Sequence, residues 1–483
     1  MRKRAGFVNP SLDALAKEKF LLTNKTVGKF SISLDPQVER DARHYITVMA
    51  ERYFSTLSDL NIQVAFDSSR LLDSWRFGPG ASNGVSGSHT AVKIGQPMTS
   101  TALCEPYVRN LRASNFYLST NDGLKKESGV TLIYGSRLTT VPKNEDSVRT
   151  IAIEPSGNMA VQLAGGHHLE GILRYIGCDI RSQQPRNKLL AMTGSITNSL
   201  ATIDLSSASD MISIDLVRRL MPTRWFDFLM KVRSPVIEVD GTRVDLNMIS
   251  TMGNGFTFPL MTLIVISLIY AYRAQNGGPN LFMDWSQTAV FGDDIIVKSA
   301  EYDGVCEVLG QAGFVINHDK SYRDGPFRES CGGDYMEGYD VTPFYVRSLA
   351  TDPEIYVAAN QLLVWSARNF FVPVRTYRQL LQWLRRGPFF IPEWHNPDQG
   401  ILTSLVSREY KYLSTRLPKV FYEGPYGMML ACGGYLSSSG SRLFYSPRTS
   451  KPKVNTRVSR LPSGYLDGSD PVTRSEEVSR RIA

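Results

Sequence analysis

The chain has 483 residues, 42% of them hydrophobic and 21% charged, with a formal net charge of +8 and a pI of about 9.1. That length exceeds one core, so several subdomains are expected, and the hydrophobic fraction excludes a largely disordered chain. The excess of base favours an anionic partner such as nucleic acid, while five scattered cysteines (Cys104, Cys178, Cys306, Cys331, Cys432) without a Cys-x-x-Cys argue against a disulfide framework or a zinc site and fit a reducing cytoplasm.

The N-terminal MRKRAGFVNPSLDALAKEKF is basic but lacks the apolar centre of a signal peptide. Residues 1–76 read as an N-terminal, partly helical region packing on the chain downstream of it, because PQVERDARHYITVMAERYFSTL has apolar residues at helical spacing. The Gly/Ser-rich FGPGASNGVSGSHT, Phe77–Thr90, is predicted as a loop. Residues 130–155 are predicted β-rich, with VTLIYG and VRTIAI as strands. His167-His168 has no His-x-x-x-His spacing beside it and is assigned a structural or solvent-facing role. Strands and helices alternate from about 200 to 345. The longest apolar run, FPLMTLIVISLIYAY at Phe258–Tyr272, has fifteen residues, short of the roughly twenty that span a bilayer, and is predicted as a buried helix. Residues 350–435 read as mainly helical. Leu436–Ala483 is rich in Ser, Pro and Arg and holds nine Lys/Arg against four Asp/Glu, so +5 of the total +8 lies there. It reads as a basic, weakly structured tail, with solvation alone and RNA contact weighing equally.

Two acidic clusters stand out. In AVFGDDIIVKS, Ala289–Ser299, the stretches Gln287–Phe291 and Ile295–Lys298 are rich in β-branched and aromatic residues and flank Gly292-Asp293, a two-residue hairpin signal. Asp293 and Asp294 are therefore predicted at a hairpin tip. Adjacent carboxylates repel, a cost that a divalent cation between them removes, although an ordinary Gly-Asp turn accounts for the local sequence equally well. In LATIDLSSASDMIS, Leu200–Ser213, a strand is predicted to end at Asp204 and the Ser-Ser-Ala-Ser run to lead into a helix containing Asp210. Asp204 as a helix cap and as a metal ligand are equally open on local grounds.

Together, a strand-end Asp and a hairpin-tip pair on neighbouring strands of one sheet make three hard oxygen ligands, suited to Mg²⁺ and not to zinc. Two such ions about 3.5–4 Å apart activate an attacking hydroxyl and stabilise a leaving oxygen, which is what nucleotidyl transfer requires. LTTVPKNEDSVRTIAIEPSGN, Leu138–Asn158, supplies Lys143 and Arg149 for a triphosphate, although such residues in turns are mostly just solvated. STMGNGFTFPL, Ser250–Leu260, sets Gly253 and Gly255 around Asn254 and offers Ser250, Thr251 and Asn254 as hydrogen-bonding groups. A sugar 2′-hydroxyl and a plain helix start are the alternatives there. In GFVINHDKSY, Lys320 is placed to protonate a departing pyrophosphate.

The ordered blocks VPKN with R-x-IAIEP, TIDLSSASD, STMGNGFTF, FGDD, DKSY, and FRESCGGDY followed by GYDVTPFYVR carry a resemblance, joined by FGPGAS at Phe77–Ser82. Over residues 77–347 the chain resembles the replicase β-subunits of the levivirus-type single-stranded RNA bacteriophages, phage Qβ among them. The resemblance implies an RNA-directed RNA polymerase of α+β class with a right-hand fold. Fingers would occupy 77–199, a palm of antiparallel sheet plus helices with the catalytic motifs 200–347, a helical thumb-like region 348–435, and the tail 436–483. It implies Asp204, Asp293 and Asp294 as catalytic ligands of two Mg²⁺ ions, with Mn²⁺ as a substitute, and Lys320 as the catalytic lysine. Lys143 and Arg149 would contact the incoming triphosphate, with Asp210, Ser250 and Asn254 also binding the nucleotide. Phe327–Gly333 would lie beside the primer strand. Which of Ser209, Asp210 and Asn254 reads the ribose hydroxyl stays open.

The resemblance also implies a single-stranded RNA template, ribonucleoside triphosphates, and a start without a primer. Host translation elongation factors Tu and Ts and a ribosomal protein are implied as partners, with no membrane, in the cytoplasm of the infected bacterium. The chain departs from the family at Phe291, where relatives carry Tyr; the ring stays, the hydroxyl is lost, and activity is expected to survive. A reverse transcriptase would share the acids but is disfavoured by the Gly before the Asp pair and by the flanking blocks. A non-enzymatic RNA-binding protein would use the basic tail and the Gly-rich loop and leave the three acids unexplained.

Overall fold

The computed structural model describes residues 10–56, 73–78, 80–114, 129–144, 147–278, 283–344, 346, 348–392, 396–403, 442–445 and 452–455. They fall into two compact units, one within Phe7–Pro343 and one beginning at Phe344.

The first unit starts with helices α1 (Pro10–Lys29) and α2 (Pro36–Thr56). The Asp35 carboxylate accepts from Gln37 N at 2.7 Å, and Pro36 follows it at a position where a missing N–H is not needed. The apolar stripe of α2 is buried as its spacing predicts: Val38, Ala42, Tyr45, Ile46, Met49 and Phe54 face inward. Phe77–Thr90 carries no helix until Thr90. Strands β1 (Gly135–Asn144) and β2 (Ser147–Ile153) form an antiparallel hairpin; β2 is the predicted VRTIAI, whereas of VTLIYG only Val130–Leu132 is a strand of its own, pairing with Met98–Ser100, and β1 begins at its last residue.

Helix α3 (Ser156–Tyr175) follows β2 directly and is buried on almost every face, and α4 (Gln183–Thr197) leads into β3 (Leu200–Ile203). Strands β4 (Val236–Val239) and β5 (Thr242–Asp245) extend the first hairpin into a sheet of order β2-β1-β4-β5.

The apolar run becomes α5 (Thr257–Gln275). It is long and apolar enough to cross a membrane, but 72% of that window is buried inside the protein. It packs on α2 and α3, and Tyr45 stacks on Tyr270 with centroids 4.4 Å apart. Strands β6 (Ala289–Phe291) and β7 (Asp294–Lys298) complete a second sheet of order β3-β7-β6, antiparallel throughout. Hairpin β8 (Phe327–Ser330) and β9 (Gly333–Met336) ends the part of this unit that matters for the site.

Three expectations need revision. Asp210 does not lie in an α-helix; it closes a single 3-10 turn, Ala208–Asp210, because Ser207 enters the left-handed region at φ +52° and breaks the run. The α-helix begins only at Ile214, capped by Ser213 Oγ accepting from Leu216 N at 3.0 Å. In the second unit, α6 (Asp352–Asn369) and α7 (Val374–Trp383) are helical as expected, but Phe390–Pro392 and Ile401–Thr403 then pair as parallel strands. Within the basic tail, Arg442–Tyr445 and Pro452–Asn455 pair as antiparallel strands; the rest of the tail and residues 404–435, with Cys432, lie outside the described residues. Cys104, Cys178, Cys306 and Cys331 are free thiols.

Candidate active site

β3 is buried along its length and ends at Ile203, one residue before Asp204. β7 lies antiparallel beside it with Ile295 opposite Ile203, so the next step of the register brings Asp204 level with Asp294. β6 and β7 pair as far as Phe291 and Asp294, which leaves Gly292-Asp293 as a two-residue turn. Gly292 has φ +65°, the sign a type II′ turn takes at its first central residue. The space is as restrictive as the angle, since a Cβ on Gly292 would lie 2.4 Å from the Phe258 ring. Phe291 packs edge-on against Phe258 with centroids 4.7 Å apart, so its ring meets an apolar neighbour.

Asp204 and Asp294 are held from behind. Asn317 Nδ2 donates to Asp204 Oδ2 at 2.6 Å, and Asp204 N donates to Ser321 Oγ at 3.0 Å. Thr202 and Tyr322 exchange backbone bonds of 2.8 and 2.9 Å, which stitches the segment bearing Lys320 to β3. Lys320 ends a 3-10 turn, and its Nζ stands 3.7 Å from Glu329 on β8. For Asp294 the support is the β8–β9 turn: Cys331 N donates to Oδ1 at 2.8 Å. Asn187, fully buried on α4, donates to Asp294 O and to Ser330 Oγ, both at 3.2 Å.

The electrostatics knit these groups together. Burial, with Asp293 and Asp204 adding like charge, pushes the Asp294 carboxyl up to about 6 against the pull of the Cys331 N–H. Asp293 is raised by burial and then by Asp204, while Arg149 and Lys143 oppose the rise. The Lys143 ammonium is held below its ordinary value by desolvation, then by Arg149 and Lys320, with Asp204 and Asp293 pulling the other way. Glu329 is raised by burial, and Lys320 lowers it. So Asp204, Asp293, Asp294, Lys143, Arg149 and Lys320, drawn from separate stretches of sequence, are joined in one series of electrostatic contacts, the cations meeting Asp204 and Asp293 through Lys143 and Arg149.

Burial and mutual repulsion raise these acids, and their donors are carboxylate oxygens; this residue set fits a hard divalent cation. Among the described residues, no three His, Cys, Asp or Glu side chains stand close enough to share an ion as they are. Mg²⁺ does not need that, because it takes one or two carboxylates and completes its shell with water and phosphate oxygens.

The other expected nucleotide-binding residues sit on a different set of contacts. Burial pushes Asp210 up to about 6; it accepts the Met252 N–H, and its Oδ1 is buried without a partner. Ser250 is buried and its hydroxyl also lacks a partner. Asn254 is engaged within its own loop, Oδ1 accepting from Thr251 N at 2.8 Å and Thr251 Oγ1 at 2.9 Å. Sequence reading missed Asn187, Asn317, Glu329 and the Cys331 amide. No local pattern marks them, since each acts on a group distant in the chain.

Fold and site thus define an α+β protein with acids gathered on neighbouring strand ends and cations around them. Residues 15–408 match the family described as RNA replicase, beta-chain, and the chain belongs to that family. The RNA-directed RNA polymerase subunit beta of Escherichia virus Qbeta is 40% identical over 323 residues, 64% of this chain and 52% of that subunit. The corresponding subunit of Qbeta virus strain MX1 is 37% identical over 415 residues, 82% of this chain and 67% of that subunit. That of Enterobacteria phage SP is 46% identical over 213 residues, 44% of this chain and 36% of that subunit. The chain spans about half the length of the curated relatives it matches. A solved structure of the BmCPV RNA-dependent RNA polymerase at elongation state overlaps 71% of this chain and 32% of its own at 12% identity and a TM-score of 0.44, too loosely to locate any residue.

Proposed function

We propose that this chain is an RNA-directed RNA polymerase that copies a single-stranded RNA phage genome. The observation that carries the reading is the meeting of Asp204 with Asp293-Asp294 across β3 and β7, with Lys143, Arg149 and Lys320 around them. Membership of the RNA replicase β-chain family supports it. In this reading residues 1–76 pack on fingers (77–199) and palm (200–347), 348–435 are thumb-like, and synthesis starts without a primer.

Asp204, Asp293 and Asp294 would hold two Mg²⁺ ions, or Mn²⁺ in their place. Divalent cations bound there supply Lewis acidity to the attacking hydroxyl and to the leaving oxygens. Lys143 and Arg149 hold the triphosphate in line for attack. Lys320 Nζ, kept in place by Glu329, delivers a proton to the departing pyrophosphate. Asp210 and Ser250 meet the incoming sugar. The proposal extends to host elongation factors Tu and Ts and a ribosomal protein as partners in the cytoplasm of the infected bacterium, on the strength of the family resemblance alone.

The test is incorporation of labelled ribonucleotides on a single-stranded RNA template, with Mg²⁺ present or chelated, by the chain alone and with bacterial extract. Mg²⁺-dependent product that disappears in Asp293→Ala, with the variant's circular dichroism unchanged, is expected. Synthesis by Asp293→Ala near the parent rate rejects the site. A preference for deoxyribonucleotides would point to reverse transcription, and RNA binding indifferent to Mg²⁺ and to the acids, with no synthesis, to a binding protein.

A further inference from the structure

Beneath the Ser250–Phe256 loop lies a carboxylate with no role so far. Glu154 follows β2 and is 1% exposed. Its Oε2 accepts from Ser234 Oγ at 2.7 Å and from Gln162 Nε2 at 2.9 Å. The Asn254 side chain, whose oxygen is taken up by Thr251, lies near enough to favour its charged form. Burial, against the Ser234 and Gln162 bonds, the charge of Arg233 and the nearby Asn254 amide, pushes the Glu154 carboxyl up to about 7. A buried acid is costly to keep, and a neutral side chain would fill the same space.

Its partners show what it holds. Gln162, fully buried on α3, turns its Oε1 to the Gly255 N–H at 3.1 Å, so one side chain links Glu154 to the loop backbone. The loop is also pinned to β2 directly, with Ala152 N donating to Met252 O at 2.8 Å. Gly253, at φ +120°, presses so close to β2 that a Cβ would lie 2.2 Å from Ala152 O. β2 is the strand that carries Arg149. The same loop supplies the Met252 N–H to Asp210 and carries Ser250, and these two buried groups are left with polar atoms that no protein group satisfies. An acceptor and a hydroxyl in that state suit a sugar hydroxyl.

We propose that Glu154 is a positioning residue for the incoming ribonucleotide: through Gln162 it sets the Ser250–Phe256 backbone against the strand that carries Arg149, and so places Asp210 and Ser250 for the ribose. This rests on the polymerase reading above. Glu154 touches neither nucleotide nor metal, and its effect passes through the loop.

The test compares the full-length chain with Glu154→Ala, Gln162→Leu and Glu154→Gln, the last keeping shape and one acceptor oxygen. In Glu154→Ala and Gln162→Leu, amides of residues 252–256 are expected to exchange about tenfold faster, with those of α5 unchanged. KM for ribonucleoside triphosphates should rise about tenfold with kcat within about twofold, and the preference for ribo- over deoxyribonucleotides should fall. Glu154→Gln should restore most of each. Unchanged loop exchange, or exchange rising across the whole core together, overturns the proposal. So does a loosened loop with parental KM and sugar preference. Gln162→Leu decides the matter should Glu154→Ala not fold. If the parent makes no RNA, the polymerase reading fails on its own, while loop exchange and calorimetric binding of ATP still decide whether Glu154 holds a nucleotide-binding loop.

Discussion

Asp294 sets the proposed function against stability. Its charge is half-buried beside Asp293 and Asp204, which is why its carboxyl is pushed up to about 6. Asn at this position keeps the acceptor for the Cys331 N–H and removes the charge. Asp294→Asn is therefore expected to abolish synthesis yet raise stability in chelator at pH 8 by about 1–3 kcal/mol, read from urea unfolding. Equal or lower stability would mean that the acids do not strain the fold. Glu154 makes the pH-dependent counterpart. Its folded-state pKa of about 7 lies above the ordinary 4.5, so between these values the native chain keeps a proton that the unfolded chain has lost. Stability must then fall as pH rises through that window and level off above it. Asp210 and Asp294, both pushed up to about 6, act in the same sense at lower pH. Urea midpoints at pH 5 and 8 should differ less in Glu154→Gln than in the parent; an equal difference in both would show that Glu154 does not titrate there. Asp204, Asp293 and Asp294 are legible in sequence because each sits where a strand pattern breaks. Glu154 is not, because its partners lie at positions 162 and 234 and nothing in IAIEP announces them.

At the scale of elements, the β6–β7 turn carries the most specific constraint. Gly292 satisfies a left-handed angle and a contact with Phe258 at once. Gly292→Ala meets both penalties, and a loss of about 2 kcal/mol or more is expected, with loss of synthesis as Asp293 is displaced. Thermal unfolding and ribonucleotide incorporation check this; a variant that melts and polymerises like the parent would show a turn far more pliant than its geometry. The hairpin itself was readable from Gly-Asp between two apolar runs, and α2 and α5 from their apolar residues. The Asp210 helix was misread, because the backbone angle at Ser207 is a matter of the chain's path and not of its local composition. The paired strands after α7 were missed for a similar reason, since a parallel pair of three residues each leaves little trace in a single sequence.

For the whole molecule, charge is the property that acts over distance. The tail from Leu436 holds +5 of the +8, so removing it should weaken binding to single-stranded RNA and flatten its dependence on salt. Nucleotide addition on saturating template should be little changed, since Asp204, Asp293, Asp294 and their supports all lie before Pro343. Filter binding from low to high salt, with incorporation measured in parallel, checks both statements. An unchanged salt slope would return the tail to a merely solvated role.

What the sequence determined by itself was whatever depends on near neighbours: the hairpin, the burial period of α2, the apolar α5, and the ordered blocks that mark the RNA replicase β-chain family. These depend on backbone sterics and side-chain period, which act over a few residues. Only the tertiary structure decided that Asp204 stands level with Asp294, that Asn317 and the Cys331 amide hold them, and that Glu154 is linked through Gln162 to the Ser250–Phe256 loop. Those facts depend on strand register and on which buried polar group finds which partner far along the chain. Such pairings are set by the packing of the whole unit, where an unsatisfied buried group is costly, and not by any local pattern.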